Sequence, residues 1–316
     1  MTELILHHYA SSPFSEKIRL ILGFKGLAWR SVYIPQIMPK PDVVALTGGY
    51  RKTPFLQIGA DIYCDSALMA RVIDRLHPEP TLVPNDVAGA AHLLAQWADS
   101  TLFWSVIPYT MQPAGIAAVF NNAPPEAMKA FAADRAPFSA GMTRQTAADA
   151  GVALQHYLGW LESMLADGRP HLMGSAASIA DFSVAHCLWF VHRAPPLLGI
   201  FEPVPRLAAW FERVMAFGHG QATRLASDEA IVLAAASRTH APVRVEPGLG
   251  FEAGTAVTVM AIDTGRDPVA GTLVGLDRDE VTIERRDERA GTVHVHFPRI
   301  GFQIKKDKID MKETVA

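Results

Sequence analysis

Three short stretches place polar side chains where an end of regular structure can hold a charged group. The first is Ser11-Ser12-Pro13-Phe14-Ser15-Glu16-Lys17-Ile18-Arg19. It lies where an apolar strand ends and a helix begins, and a helix N-terminus offers unpaired N–H groups and partial positive charge. A thiolate or carboxylate is stable in such a place, and a Ser hydroxyl there can donate a hydrogen bond that keeps a thiol ionised. Ser12 equally fits a plain helix N-cap. The second stretch is Thr53-Pro54, where Pro opens an apolar strand. A cis bond there turns the Thr53 backbone outward to pair with an extended peptide, whereas a trans Pro would merely begin the strand. The third is Asp65-Ser66, at the mouth of another helix. Ser66 and the helix N–H groups suit the carboxylate of an amino-acid head, and Asp65 suits its ammonium; capping is the simpler alternative.

The elements that must position these residues can be read from periodicity. Leu4 to Leu6 and Trp29 to Ile34 form strands, Pro13 to Gly26 a helix with Pro in its first turn, and Phe55–Ile58 and Ile62–Cys64 a hairpin. Ser66 to Leu76 is a helix closed by Pro78. The order gives a small mixed sheet covered by helices over residues 1–80. A Pro-rich linker follows, from His77 to Asn85. Residues 86–240 carry helical apolar spacing over Val87–Phe120, Gln145–Ala166, Ile179–His192, Val204–Phe217 and Asp228–Ser237. From 241 to 310 the pattern changes to β-rich runs at Val257–Met260, Gly271–Val274, Val281–Glu284 and Thr292–Phe297. These predict a small, separately folded, barrel-like antiparallel unit.

In order and spacing the three stretches resemble the N-terminal domain of the glutathione transferase family: S-x-F-x-x-K/R-x-R after the first strand, x-P before the third, and D/E-S before the third helix. The resemblance covers residues 1–218. It implies an α/β thioredoxin-like first domain and an all-α second domain, with the β-rich segment as an addition. It implies that Ser12 activates the glutathione sulfur, that Thr53 beside a cis Pro54 pairs with the cysteinyl part, and that Asp65 and Ser66 hold the γ-glutamyl end. Phe14, Lys40 and Lys52 join them as glutathione contacts. Asp65 departs mildly from the more frequent Glu. Omega-like members carry Cys where Ser12 stands, and Ser cannot form a mixed disulfide, so the chain is similar to the Ser-type, zeta- or theta-like members. Tyr9 is the rival for thiol activation, since other classes use a Tyr near the end of the first strand. Tyr9, Trp97, Phe103 and Trp104 are the expected wall of the electrophile pocket, although helix-core packing also explains the three on the long helix. Ser178-Ile179-Ala180-Asp181 resembles the family's capping box, which makes Asp181 a folding residue.

Composition agrees with this and excludes other classes. Of 316 residues 49% are hydrophobic and 19% charged, enough for two substantial cores, and the net charge of −3 argues against a nucleic-acid or anionic-membrane partner. Only Cys64 and Cys187 occur, with no C-x-x-C, so a disulfide framework and a zinc site are not expected. His294 and His296 alternate on one strand face but show no third ligand, so no metal is assigned. No signal peptide or membrane span is evident, and the cytoplasm is the expected location. The resemblance implies glutathione as co-substrate with no permanent cofactor, a hydrophobic electrophile as second substrate, and a homodimer. A non-catalytic module that binds ligands or proteins is the alternative.

Overall fold

Short β-branched runs and amphipathic helices alternate at the start of the chain and fold as that alternation dictates. The computed structural model describes residues 3–307, so the last three residues of the expected 241–310 unit lie outside the described residues. The first elements are Ile5–His8 (β1), Pro13–Phe24 (α1), Ala28–Tyr33 (β2), Pro41–Thr47 (α2), Phe55–Ile58 (β3), Asp61–Cys64 (β4) and Ser66–Leu76 (α3). β1 pairs in parallel with β2 and antiparallel with β3, and β3 pairs antiparallel with β4. This is the thioredoxin-like mixed sheet. Leu6, Leu56 and Tyr63 on one face pack against Ile18 and Leu22 of α1 and Met69 and Ile73 of α3. Ile5, Phe55 and Ile62 on the other face meet Val43 and Leu46 of α2.

The helical part comprises Ala88–Trp97 (α4), Phe103–Thr110 (α5), Pro113–Val119 (α6), Pro125–Phe138 (α7), Ala147–Met164 (α8), Ile179–His192 (α9), Pro205–Met215 (α10) and Ser227–Ala236 (α11). The expected single helix over 87–120 is broken. A π-type turn at Ala98–Leu102 joins α4 to α5, α5 contains Pro108, and Pro113 starts α6 afresh because it has no N–H to continue the ladder. Helix α7 was not anticipated: two Pro and a scatter of charges leave it without an apolar stripe, and none of its residues is buried. The capping box at the start of α9 is formed. Buried Asp181 also accepts hydrogen bonds from Leu172 N (2.9 Å) and Trp210 Nε1 (2.8 Å), which ties α9 to α10.

The β-rich segment forms five strands, Ala256–Ala261 (β6), Val269–Leu276 (β7), Glu280–Asp287 (β8), Gly291–Pro298 (β9) and Phe302–Lys306 (β10). All pairings among them are antiparallel. β9 and β10 are consecutive yet lie at opposite ends of the order β10-β6-β7-β8-β9. The Phe297 and Phe302 rings are 5.5 Å apart, so the strands curl toward each other. The unit is not separate, however. β9 pairs in parallel with β4, and Gln221–Arg224 (β5) pairs with β2 at the far edge, giving one ten-stranded sheet. A unit of about 60 residues has little core of its own, and β4 would otherwise present a bare edge. Joining them solves both problems: Val281, Ile283, Val295 and Phe297 continue the core of Phe55 and Ile62. Val257, Val259 and Leu273 are buried, whereas Phe251 is only partly so.

Candidate functional site

The first site forms where β1 hands over to α1. Ser12 has an extended backbone and caps the helix, its Oγ accepting from Ser15 N at 3.2 Å. The same hydroxyl donates to Thr53 O at 3.4 Å. The two alternatives for Ser12 are therefore compatible: the cap uses its lone pair and leaves its proton directed at the neighbouring loop. The Thr53–Pro54 bond is cis. Phe14, in the first turn of α1, packs its ring on Phe103 and on His186, both at 4.7 Å between centroids.

Asp65 and Ser66 stand at the start of α3. Asp65 has φ of +79°, a left-handed value unusual for a residue with a Cβ, and its carboxylate accepts from Ala67 N at 2.9 Å. Such a backbone costs on the order of 1–3 kcal/mol and persists where the surroundings impose it, commonly at binding sites. Burial pushes the Asp65 carboxyl above its ordinary range, opposed by the nearby Lys52 cation.

Beneath Ser66 lies an ion cluster that local sequence patterns do not disclose. Lys17 Nζ donates to Ser66 Oγ at 3.4 Å and to Asp99 Oδ2 at 2.5 Å, and His186 Nε2 approaches Asp99 Oδ1 at 3.0 Å. Burial alone would raise the Asp99 carboxyl, but Lys17 and His186 outweigh it and hold it at about 2. Burial lowers His186, so at neutral pH the ring is uncharged and donates its Nε2–H to Asp99. Asp99 lies within the π-type turn, a feature often found at functional positions.

These residues meet in one cleft of about 2080 Å³. Tyr9, Ser12, Phe14, Lys52, Thr53, Pro54, Asp65 and Ser66 line one wall, and Phe103 and Trp104 line the helical wall with Ile107, Met111 and residues of α7. Asp263, Ile300 and Phe302 of the C-terminal strands supply a third wall. Lys52 Nζ pairs with Asp263 at 2.6 Å and lies 5.7 Å from the centre of the Phe302 ring. Arg51 pairs with Asp134 of α7 at 2.9 Å.

Two expected site residues are not in the cleft. Trp97 turns away and packs edge-on against Tyr157, with centroids 5.2 Å apart. In a straight helix Trp97 and Trp104, seven residues apart, share a face to within about 20°; the intervening π-type turn rotates Trp97 off it. Lys40 is buried behind the wall, its Nζ 5.9 Å from the Tyr9 ring, and burial lowers it to about 8. Tyr9 does line the cleft, with its hydroxyl 3.4 Å from Arg135 Nη2, and burial raises its pKa. Cys64 and Cys187 are fully buried, and burial pushes both thiols well up, so neither is a nucleophile. Sequence patterns do not point to Arg51, Asp99, Arg135 and Asp263: each reaches the cleft only through packing between segments distant in sequence.

Comparison with known proteins agrees with this fold. Residues 6–81 match the family model for the glutathione S-transferase N-terminal domain, and residues 144–213 match that for its C-terminal domain. A sequence search of curated proteins finds no match. Among solved structures, a GST-like protein from Pseudomonas syringae is 43% identical, with 97% of this chain and 100% of that chain covered and a TM-score of 0.80. The glutathione transferase GSTFuA3 from Phanerochaete chrysosporium shares the fold at 19% identity, with 68% and 97% covered and a TM-score of 0.54. FzlA from C. crescentus does so at 22% identity, with 68% and 88% covered and a TM-score of 0.52. The comparisons and the two-part fold carry one conclusion: the chain belongs to the glutathione S-transferase family.

Proposed function

We propose that the chain is a glutathione transferase that ionises the glutathione thiol at Ser12 and delivers it to a hydrophobic electrophile. The observation that carries this is the convergence of Ser12, the Thr53 backbone and Asp65-Ser66 at one end of an aromatic-walled cleft. In this reading the Ser12 proton moves from Thr53 O to the sulfur, while the cap to Ser15 stays in place. A hydrogen bond to a charged group contributes about 1.5–3 kcal/mol, which lowers the thiol pKa by about one to two units. The thiol proton leaves to solvent, and the sulfur lone pair forms the bond to the electrophilic atom as its leaving group departs. The Thr53 backbone pairs with the cysteinyl part. Asp65 takes the γ-glutamyl ammonium, and Ser66 with the first N–H groups of α3 takes its carboxylate. Lys17 supports Ser66 from below, and Lys52 stands where a second carboxylate of the tripeptide can pair. Phe14, Phe103 and Trp104 seat the electrophile.

The test is glutathione affinity by calorimetry, followed by conjugation of a generic aryl halide. Saturable binding with turnover supports the reading. Binding without turnover would favour the non-catalytic alternative, and no glutathione binding would refute the transferase reading. We further infer a homodimer working in the reducing cytoplasm. Leu93 of α4 and Val152 and Trp160 of α8 are 74%, 57% and 60% exposed and leave apolar surface for a second subunit. Light scattering at micromolar concentration should give twice the chain mass of 34.3 kDa; a monomer mass would overturn the inference.

A further inference from the structure

The end of β4 away from the cleft carries chemistry that the glutathione reading does not use. The parallel register sets Asp61 beside His294 and Tyr63 beside His296. Register partners share a face, so Asp61, His294 and His296 project together. On the next strand, Glu284 stands opposite His294 and Thr282 opposite His296. The segment after α11 then crosses this patch. Ala241 N donates to Asp61 Oδ2 at 2.9 Å, which lays the His240 ring on that of His294 with centroids 3.7 Å apart.

The donor atoms converge. His240 Nδ1 lies 3.6 Å and His294 Nδ1 3.9 Å from Asp61 Oδ1, and the three ligand atoms lie within 4.8 Å of one another. Both Nδ1 atoms are sealed from solvent, and neither has a hydrogen-bond partner among the described residues. Buried polar atoms in native proteins are nearly always satisfied, and two left over that face one carboxylate oxygen are satisfied together by a single cation. Tetrahedral zinc, with bonds of about 2.0–2.1 Å, spaces its donors about 3.3–3.4 Å apart. Closing the two gaps to Asp61 to that value needs shifts of about 0.3 and 0.6 Å, with the stacked His240 and His294 rings turning so that both lone pairs meet the ion.

The surroundings also suit a metal. Metal-bound imidazoles commonly direct their second nitrogen at a carboxylate, and ligating carboxylates are themselves hydrogen-bonded. His294 Nε2 lies 3.7 Å from Glu284 Oε2. His296 Nε2 holds Asp61 Oδ1 at 2.9 Å, and its Nδ1 approaches Glu280 at 2.6 Å. Two imidazoles and one carboxylate favour zinc and its transition-metal neighbours over magnesium or calcium, which prefer all-oxygen sites.

We propose that Asp61, His240 and His294 bind one zinc-class divalent ion. The ion joins three segments far apart in sequence: the β3–β4 hairpin, the connection after α11, and β9. It acts as a structural staple. Asp61 opens β4 and Asp65 follows its last residue, about 13 Å along the chain, and none of the three ligands lines the cleft.

The test uses tag-free full-length protein, stripped with chelator and then titrated with Zn²⁺ or Co²⁺. One equivalent per chain by elemental analysis is expected, with visible Co²⁺ bands of a four-coordinate site and a melting temperature that rises with Zn²⁺. His240→Ala and His294→Gln should each abolish stoichiometric uptake. His240 sits on a partly exposed connection, so its variant should keep the wild-type circular dichroism spectrum. His296→Gln should retain one equivalent at roughly 10- to 100-fold lower affinity. No uptake by the wild type at micromolar free zinc would overturn the proposal, and so would uptake unchanged in both ligand variants.

Discussion

Removing the Asp99 carboxylate tests whether the ion cluster under the cleft holds the two halves of the family fold together. The Lys17 side chain is 1% exposed, and its charge partner is Asp99, which itself is 17% exposed. Asp99→Ala leaves that ammonium buried with the Ser66 hydroxyl as its remaining hydrogen-bond partner among the described residues. Breaking one side of a buried pair costs about 3–5 kcal/mol. Unfolding entropy of about 2.1 cal/mol/K per residue over 316 residues converts this to a fall of about 5–8 °C in Tm. The pair Lys17→Met with Asp99→Asn removes both charges and should recover most of the loss. Acid behaviour gives an independent reading. The folded carboxyl sits at about 2, below its ordinary 3.8, so its contribution is complete above about pH 4 and is lost as pH falls through about 2. The difference of nearly two units is worth about 2.5 kcal/mol. Asp99→Asn should therefore flatten the stability curve between pH 4 and pH 2 by about that amount. A Tm for Asp99→Ala within a degree of wild type, measured by differential scanning calorimetry, would show that Lys17 is solvated and the reasoning mistaken.

Other consequences are open to direct measurement. Ser12→Ala should reduce turnover by about tenfold to a hundredfold while leaving the glutathione Kd nearly unchanged, because one hydrogen bond to sulfur is lost and the other anchors remain. If Tyr9→Phe abolished turnover and Ser12→Ala did not, thiol activation would belong to Tyr9. Asp263→Asn should tighten glutathione binding by up to about fivefold at low salt, since a part-exposed ion pair is worth under about 1 kcal/mol and its loss frees Lys52 for the ligand. Weaker binding in that variant would mean instead that Asp263 holds Lys52 in its working position. Truncation after residue 240 strips β9 from β4 and bares an apolar edge, so the shortened chain should aggregate on expression; a soluble product with an unchanged melting temperature would show the extension to be independent.

The sequence reveals those parts of the site whose cause is local. Ser12, Thr53-Pro54 and Asp65-Ser66 each sit where a strand or loop meets an element boundary, and Pro, hydroxyl and carboxylate types mark such boundaries within a few residues. The partner of Lys17 is different in kind. Asp99 lies 82 positions away and meets Lys17 only because α1 packs beside the π-type turn. No local pattern announces a π-type turn, and the same turn removes Trp97 from the cleft while leaving Phe103 and Trp104 in it. The third His–Asp partner was hidden likewise. The i, i+2 pair His294 and His296 is visible in the sequence, but Asp61 and His240 join it only through a parallel pairing between β4 and β9 and a crossing connection.

That same pairing decides what the C-terminal strands are for the molecule. β4 is a short strand with three attachments. Its first residue, Asp61, anchors the connection after α11. Its middle residues pair with β9 and share the second core. Its last residue, Cys64, leads directly into Asp65, whose left-handed backbone directs the carboxylate toward α3. A backbone held in a costly conformation depends on the rigidity of what precedes it. By binding the free edge of β4, the extension restrains the strand that delivers Asp65 and Ser66. Through Asp263 and Phe302 it also touches Lys52, on the same wall of the cleft as Asp65 and Ser66. The extension thus contacts the candidate site through its framework and through its wall, which makes it part of the site's construction and not an appendage to a finished two-domain fold.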